Sequence, residues 1–216
     1  TWIKHYRPNE NSVNSAISYY LKGSLVGLCL DLEIRSISTH GQSLDDVFRQ
    51  LWAEYKTTNA GFSELDFKRI SEEIAGNKLD HIWKYVNTTE EIDFDFFLNK
   101  AGLKLESGFE NDNDSTKAWY GFACRSDKRV YVKKIRSGGP AASIDLNVND
   151  ELIALNGFRL TPENFKNLFE LQTIGTAAEL TTARNGIMRA VSITPNMPPP
   201  NEYKIVKTEH PTTIQK

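Results

Sequence analysis

Ser18-Tyr-Tyr-Leu-Lys-Gly23 puts two tyrosines, a lysine and a glycine into the first apolar stretch of the chain. A helix built only for packing needs none of them. A tyrosine hydroxyl is a hydrogen-bond donor that a catalytic site can use. Helical spacing puts Tyr20, Gly23, Ser24 and Gly27 on one face and Leu21, Leu25 and Leu28 on another. Tyr20 then has small neighbours and faces open space that a substrate could fill. The alternative is a tyrosine packed through its ring on a neighbouring helix. Tyr19 reads as a core residue.

The remaining residue types with chemistry to offer form no set. Hydrolysis at zinc requires His-Glu-x-x-His and a third carboxylate ligand, with the glutamate as general base. His5, His40, His81 and His210 lack that spacing and read as surface or structural side chains. Cys29 and Cys124 make no C-x-x-C pair, which argues against a disulfide scaffold or a structural zinc site and leaves the compartment open. Asn111–Lys117 lacks the spacing of a calcium loop and reads as a solvated turn. Asp31 and Arg35, four apart, read as a helix ion pair.

These residues need elements to carry them. At 216 residues with 39% hydrophobic content, the chain suits two small domains. A net charge of −2 provides no basic field, so nucleic acid is not an expected partner. The longest apolar run, Leu25–Leu30, is far short of a membrane span, and no signal segment is visible. Both ends read as cut, so an internal piece of a longer protein is expected, soluble and either cytoplasmic or exported.

Residues 14–102 carry helical patterns. Ile17, Leu21, Leu25, Leu28 and Leu32 follow one stripe. Ser43 with Asp46, and Ser63 with Asp66, read as capping boxes opening two helices, the second ended by Gly76. A short segment follows at Leu79–Val86, then a helix over Glu90–Lys100 closed by Gly102. Beyond Gly102 the pattern alternates at Leu103–Glu106, Val130–Ile135 and Ala190–Ile193, which is strand periodicity. Asn156-Gly157 and Asn185-Gly186 predict tight hairpins. Thr161-Pro162 predicts the start of a long helix through Phe165, Leu168 and Phe169. The expected fold class is multi-domain: an all-α helical domain over 1–102, then an α+β domain over 103–196. The α+β domain is a small, partly open β-barrel with two helices. A Pro-rich extended tail over 197–216 leads to a truncated helix.

The second half resembles a PDZ domain. The residues carrying the likeness are Ile135-Arg-Ser-Gly-Gly-Pro-Ala-Ala142, Leu146-Asn-Val-Asn-Asp150 and Glu151-Leu-Ile-Ala-Leu-Asn-Gly157. Asn149 stands where the family has glycine, and Asp145-Leu146 replaces Gly-Leu. Ser137-Gly-Gly-Pro140 is then turn chemistry and no phosphate loop. The resemblance implies that Trp119, Tyr120, Gly121 and Phe122 form the loop that receives a peptide's terminal carboxylate. The peptide would add as a strand to an exposed edge. The alternatives are internal docking and a strand start with buried aromatics.

Tyr6-Arg-Pro-Asn-Glu-Asn11, Ser18-Tyr-Tyr-Leu-Lys-Gly-Ser-Leu-Val-Gly-Leu-Cys-Leu-Asp-Leu-Glu-Ile-Arg35 and Ser43-Leu-Asp-Asp-Val-Phe-Arg-Gln-Leu-Trp52 precede that module. In this order they resemble the C-terminal part of the glycyl aminopeptidase family of PDZ-containing zinc metallopeptidases. The resemblance implies a full-length enzyme that removes N-terminal residues from a peptide substrate, with zinc held upstream of this chain. It also implies no cofactor and no activity in this chain alone. Relatives of the aminopeptidase N type share a Tyr-x-Lys-Gly element whose tyrosine donates to the oxyanion beside the zinc, and Tyr20-Leu-Lys-Gly23 fits it. Two alternatives stand beside it: a non-catalytic PDZ scaffold and an inactive peptidase homologue.

Overall fold

The computed structural model describes residues 2–38 and 41–209. His40, His210 and the helix start expected beyond His210 lie outside them. The chain forms two compact units: residues up to 17 with Ser107–Glu202, and Ser18–Glu106 with the stretch from Tyr203.

The first unit opens with two short helices, α1 (Trp2–Tyr6) and α2 (Ser12–Ser15). The second unit holds α3 (Tyr19–Ile37), α4 (Leu44–Thr58), α5 (Glu64–Ala75), α6 (Asp80–Asn87) and α7 (Phe94–Leu98). Strand β1 (Leu103–Gly108) follows. Helix ends obey local chemistry. Ser63 Oγ accepts from the Asp66 amide at 3.2 Å while Asp66 Oδ2 accepts from the Ser63 amide at 2.9 Å, a reciprocal cap. Gly76 closes α5 at φ +66°. The helix expected over Glu90–Lys100 is shorter, because Asp93 caps it late by accepting from the Phe96 amide at 3.0 Å.

The leucine stripe of α3 is not its buried face. Val26, Cys29, Leu30, Glu33 and Ile34 are buried, whereas Leu21 is 59% exposed and Leu28 38%. Val26, Cys29, Leu30 and Ile34 set the rotation, and Glu33 goes inward with them. Its carboxylate is 5% exposed and lies 3.2 Å from Lys100 Nζ and 3.3 Å from His81 Nε2. A buried charge must be paired, and Lys100 makes that burial tolerable. Asp31 forms the expected pair with Arg35 at 2.7 Å and also accepts from the Leu44 amide at 2.9 Å, holding the start of α4. Tyr19, expected in the core, is half-buried at the first turn.

The remaining strands are β2 (Phe122–Ser126), β3 (Val130–Ile135), β4 (Glu151–Leu155), β5 (Phe158–Arg159), β6 (Ala178–Arg184), β7 (Ile187–Ile193) and β8 (Glu202–Lys207). The sheet of the first unit runs β2-β3-β4-β6-β7, with β5 on β4, and all its pairs are antiparallel. β8, in the stretch expected to be an extended tail, pairs with β1. Asn156-Gly157 and Asn185-Gly186 both take positive φ at both positions, as tight hairpins require. Asn149 takes φ +71°, which accounts for an asparagine where the PDZ pattern has glycine. The expected long helix after Thr161 is only α8 (Phe165–Glu170), because residues 162–164 form turns. A second helical piece is the 3-10 turn Pro140–Ser143.

Asp150, 1% exposed, staples this unit. Arg184 grips it through Nε at 2.7 Å and a second nitrogen at 2.8 Å, and the Asn147 amide donates at 2.8 Å. Burial alone would raise the Asp150 carboxyl, but Arg184 and the Asn147 amide outweigh it and hold the group below its usual value. A carboxyl depressed in the folded state adds stability above its unfolded pKa and loses it as pH falls through the folded one. The unit should therefore weaken as pH drops below about 4. Asp150→Asn should flatten that acid dependence in denaturant titrations at several pH values. Arg184→Met, which leaves the carboxylate buried without its cation, should cost about 3–5 kcal/mol at neutral pH.

Candidate functional site

Tyr20 and the segment Trp119–Phe122 belong to different units, and each makes a site of its own. Tyr20 lies in the first turn of α3, whose N-terminus is fixed by Ser18 Oγ accepting from the Leu21 amide at 3.3 Å. Its side chain is 61% exposed, and its ring lies against that of Tyr19 with centroids 4.3 Å apart. A Cβ added at Gly23, one turn on, would meet nothing within 4 Å. The small-residue face read from the sequence is therefore open at Gly23, whereas a Cβ at Gly27 would touch Leu44 at 3.9 Å.

The second site begins three residues before β2. Trp119 is pinned by a reciprocal pair with Asn196, at 3.0 and 2.9 Å, and borders a shallow cleft of about 450 Å³ with Arg136 and Pro198–Pro200. Tyr120 accepts from the Ala141 amide at 2.9 Å, and Gly121 accepts from the Arg136 amide at 2.7 Å. Both carbonyls thus point into the Arg136–Ala141 loop. The Tyr120 and Gly121 N–H groups donate to no acceptor among the described residues. Two successive backbone donors beside a left-handed glycine (φ +76°) form a concavity suited to an anion. β2 is an edge strand, so an extended chain has a free ladder to join.

Trp119, Tyr120, Gly121 and Phe122 do not act alike. Tyr120 is buried in the core, Phe122 packs against it, and Trp119 borders the neighbouring cleft. Sequence reading missed two contributors. Phe169 of α8 walls the loop by edge contacts to Tyr120 and Phe122, at 5.0 and 5.3 Å between centroids. Its spacing from Phe165 was a signal for a buried helix face but named no partner. Asn14 grips the other side of the loop: its amide donates to the Ile135 carbonyl at 2.8 Å and accepts from the Ser137 amide at 2.7 Å. Nothing in the sequence around Asn14 indicates that long-range bond.

Cys29 and Cys124 are free thiols whose pKa values burial pushes to about 11 and about 12, which makes both poor nucleophiles at neutral pH. Among the described residues, no three His, Cys, Asp or Glu side chains gather as metal ligands.

No protein-family model matches the chain, and no curated protein matches it. Among solved structures, the chain is similar to a crystal structure of an aminopeptidase N family protein from Idiomarina loihiensis. The TM-score is 0.78 at 24% identity, over 99% of this chain and 38% of that one. The chain shares its fold with part of that protein. It spans less than two fifths of the other's length. Slighter overlaps occur with a serine endoprotease from Yersinia pestis (TM-score 0.35, 24% identity, 40% of this chain and 31% of that one) and with the PDZ domain of EpsC from Vibrio cholerae (0.28, 26%, 35% and 95%). Those two are too partial to bear on the fold.

The loop geometry rests on glycine. A Cβ at Gly121 would come 2.7 Å from Gly139 Cα, on top of the unfavourable φ, whereas one at Gly138 (φ +76°) would meet nothing. Gly121→Ala should therefore destabilise the chain by more than Gly138→Ala, which costs about 1–2 kcal/mol from backbone strain alone. Denaturant melts of the two variants measure the difference.

Proposed function

We propose that this chain is the C-terminal part of a zinc metalloaminopeptidase of the glycyl aminopeptidase family. In this reading the helical unit supplies Tyr20 and the sheet unit captures a peptide. The observation that carries it is Tyr20 of Tyr20-Leu-Lys-Gly23, a mostly exposed tyrosine in the first turn of a long helix with open space at Gly23 beside it. The shared fold with part of an aminopeptidase N family protein supports it. The exposed apolar residues Leu21 and Leu28 of α3 add support, since they lie on one face of that helix that a further domain would cover. Among the described residues no three His, Cys, Asp or Glu side chains gather as metal ligands, and in this reading the zinc is held upstream of this chain. No helix among the described residues is long and apolar enough to cross a membrane.

Tyr20 would act through one proton. When water adds to the peptide carbonyl, the oxygen gains negative charge, and the phenolic O–H donates to it. The bond is stronger in the transition state than in the ground state, so it raises kcat more than it tightens KM. A second reading, peptide capture without catalysis, is favoured by the two free amides and the open edge of β2.

In the full-length protein, Tyr20→Phe should lower kcat about 10²–10³-fold with little change in KM. Tyr19→Phe, which keeps the neighbouring ring, should leave kcat nearly intact. Both variants should melt at the wild-type temperature. A Tyr20→Phe enzyme that keeps more than half its kcat would leave only the capture reading.

A further inference from the structure

The hairpin of β2 and β3 is basic in a chain that is not. Residues 122–136 hold six cations and one carboxylate, against a net charge of −2 for the whole sequence. All six, Arg125, Lys128, Arg129, Lys133, Lys134 and Arg136, are exposed. Arg129 is tied to Glu151 at 2.9 Å, and the Arg125 guanidinium lies 4.5 Å from the centre of the Tyr131 ring. Lys128, Lys133, Lys134 and Arg136 have no carboxylate partner among the described residues. A bulge concentrates two of these charges. Val130, Val132 and Ile135 pack in or against the core, and the register steps from Ala123 opposite Lys134 to Cys124 opposite Val132. Two residues instead of one therefore separate the inward positions Val132 and Ile135, and Lys133 and Lys134 both stand outside. Ala123, between Lys134 and the open edge, carries only a methyl group and leaves the lysines a path to that edge.

We propose that the open edge of β2 takes an acidic peptide, recognised by Lys133 and Lys134 through side-chain carboxylates at alternate positions of the added strand. The inference rests on the capture reading, in which an extended chain joins β2. Phe122 and Cys124 pack against the core, so Ala123 and Arg125 face out. A chain running antiparallel to β2 from the Tyr120–Gly121 amides sets its second and fourth residues from the C-terminus beside Ala123 and Arg125. Those two side chains share the outer face with the lysines. The last and third residues turn to the core side.

Charge complementarity favours this occupant over a neutral or a basic one. Main-chain hydrogen bonds of an added strand are blind to side chains, so they hold any extended chain that fits. The lysines then sort among such chains. Across neighbouring strands, opposite charges attract and like charges repel. Each pair is exposed and contributes little by itself, but two carboxylates on one strand face act on the same pair of lysines. Such a preference is screened, since the Debye length falls from about 30 Å at 0.01 M salt to about 3 Å at 1 M.

The test is fluorescence anisotropy of this chain with labelled peptides that all end in the same free carboxylate. They differ only at the second and fourth residues from that end, which are both glutamate, both glutamine or both lysine. At low salt, wild type should bind the glutamate peptide about fivefold more tightly than the glutamine one, with lysine weaker still. The gap should close in 1 M salt. Moving both glutamates one position along turns them to the core side and should abolish the gain. Lys133→Ala with Lys134→Ala should bring the glutamate-to-glutamine ratio to about one and leave the glutamine peptide's affinity unchanged. Lys56→Ala with Lys84→Ala removes the same charge from the helical unit and should leave the ratio as in wild type. Suppose instead that the three peptides bind alike, or that the Lys133–Lys134 double variant keeps the glutamate preference. The lysines then select nothing and the inference is overturned, while capture at the edge stands. N-methylating the peptide amides that face β2 should abolish binding. If it does not, or if no peptide binds, strand addition is wrong and the inference falls with the capture reading.

Discussion

The backbone at Gly121 passes so close to that at Gly139 that a Cβ on either would lie 2.7 Å from the other's Cα. That approach fixes what the sheet unit presents. It lets Arg136 and Ala141 donate to the carbonyls of Gly121 and Tyr120, which draws both carbonyls inward and leaves the two amides facing away. It also starts β2 at Phe122, so the free amides lead directly into an open strand edge. The Tyr120 ring, with its backbone held, has only the side of Phe169 to occupy. Donor pair and strand edge thus both depend on two residues without side chains.

Local chemistry made much of this legible. Ser63 with Asp66, Gly76, Asn156-Gly157 and Asn185-Gly186 each act within a few residues of themselves, and the structure uses each as its type dictates. The α3 face was not legible. Ile17, Leu21, Leu25, Leu28 and Leu32 make a clean stripe, but at 3.6 residues per turn it lies roughly 140° around the helix from the buried side. The buried side contains Glu33, which no hydropathy pattern would turn inward. Its partners Lys100 and His81 come from distant parts of the chain. Asn14 is a similar case, since its two bonds reach across more than a hundred residues to Ile135 and Ser137. Of the site residues, Gly121 was readable only through the PDZ resemblance, and its left-handed backbone came from the structure. The burial of Tyr120 depended on Phe169 and was not readable.

Two tyrosines stand at the candidate sites, and burial divides their tasks. Tyr20 is mostly exposed on the first turn of its helix, where a hydroxyl costs nothing to keep and can meet an incoming group. Tyr120 is enclosed by rings, and its hydroxyl is buried without a partner, so its part is to pack the loop against α8. The first suits a charge that appears only during reaction. The second holds the backbone that carries the free amides.

The rotation of α3 sets where Tyr20 stands. Val26, Cys29, Leu30 and Ile34 fix which side of the helix is buried, and Asp31 ties the same helix to the start of α4 through the Leu44 amide. With that rotation set, Tyr20 stands roughly 110° from the centre of the buried face. It sits on the border between the core and the exposed leucine stripe. Turning the helix to bury the leucines would strip Glu33 of its partners and move Tyr20 to another side. The apolar face of α3, with Glu33 paired to Lys100 inside it, thus decides the direction in which Tyr20 stands.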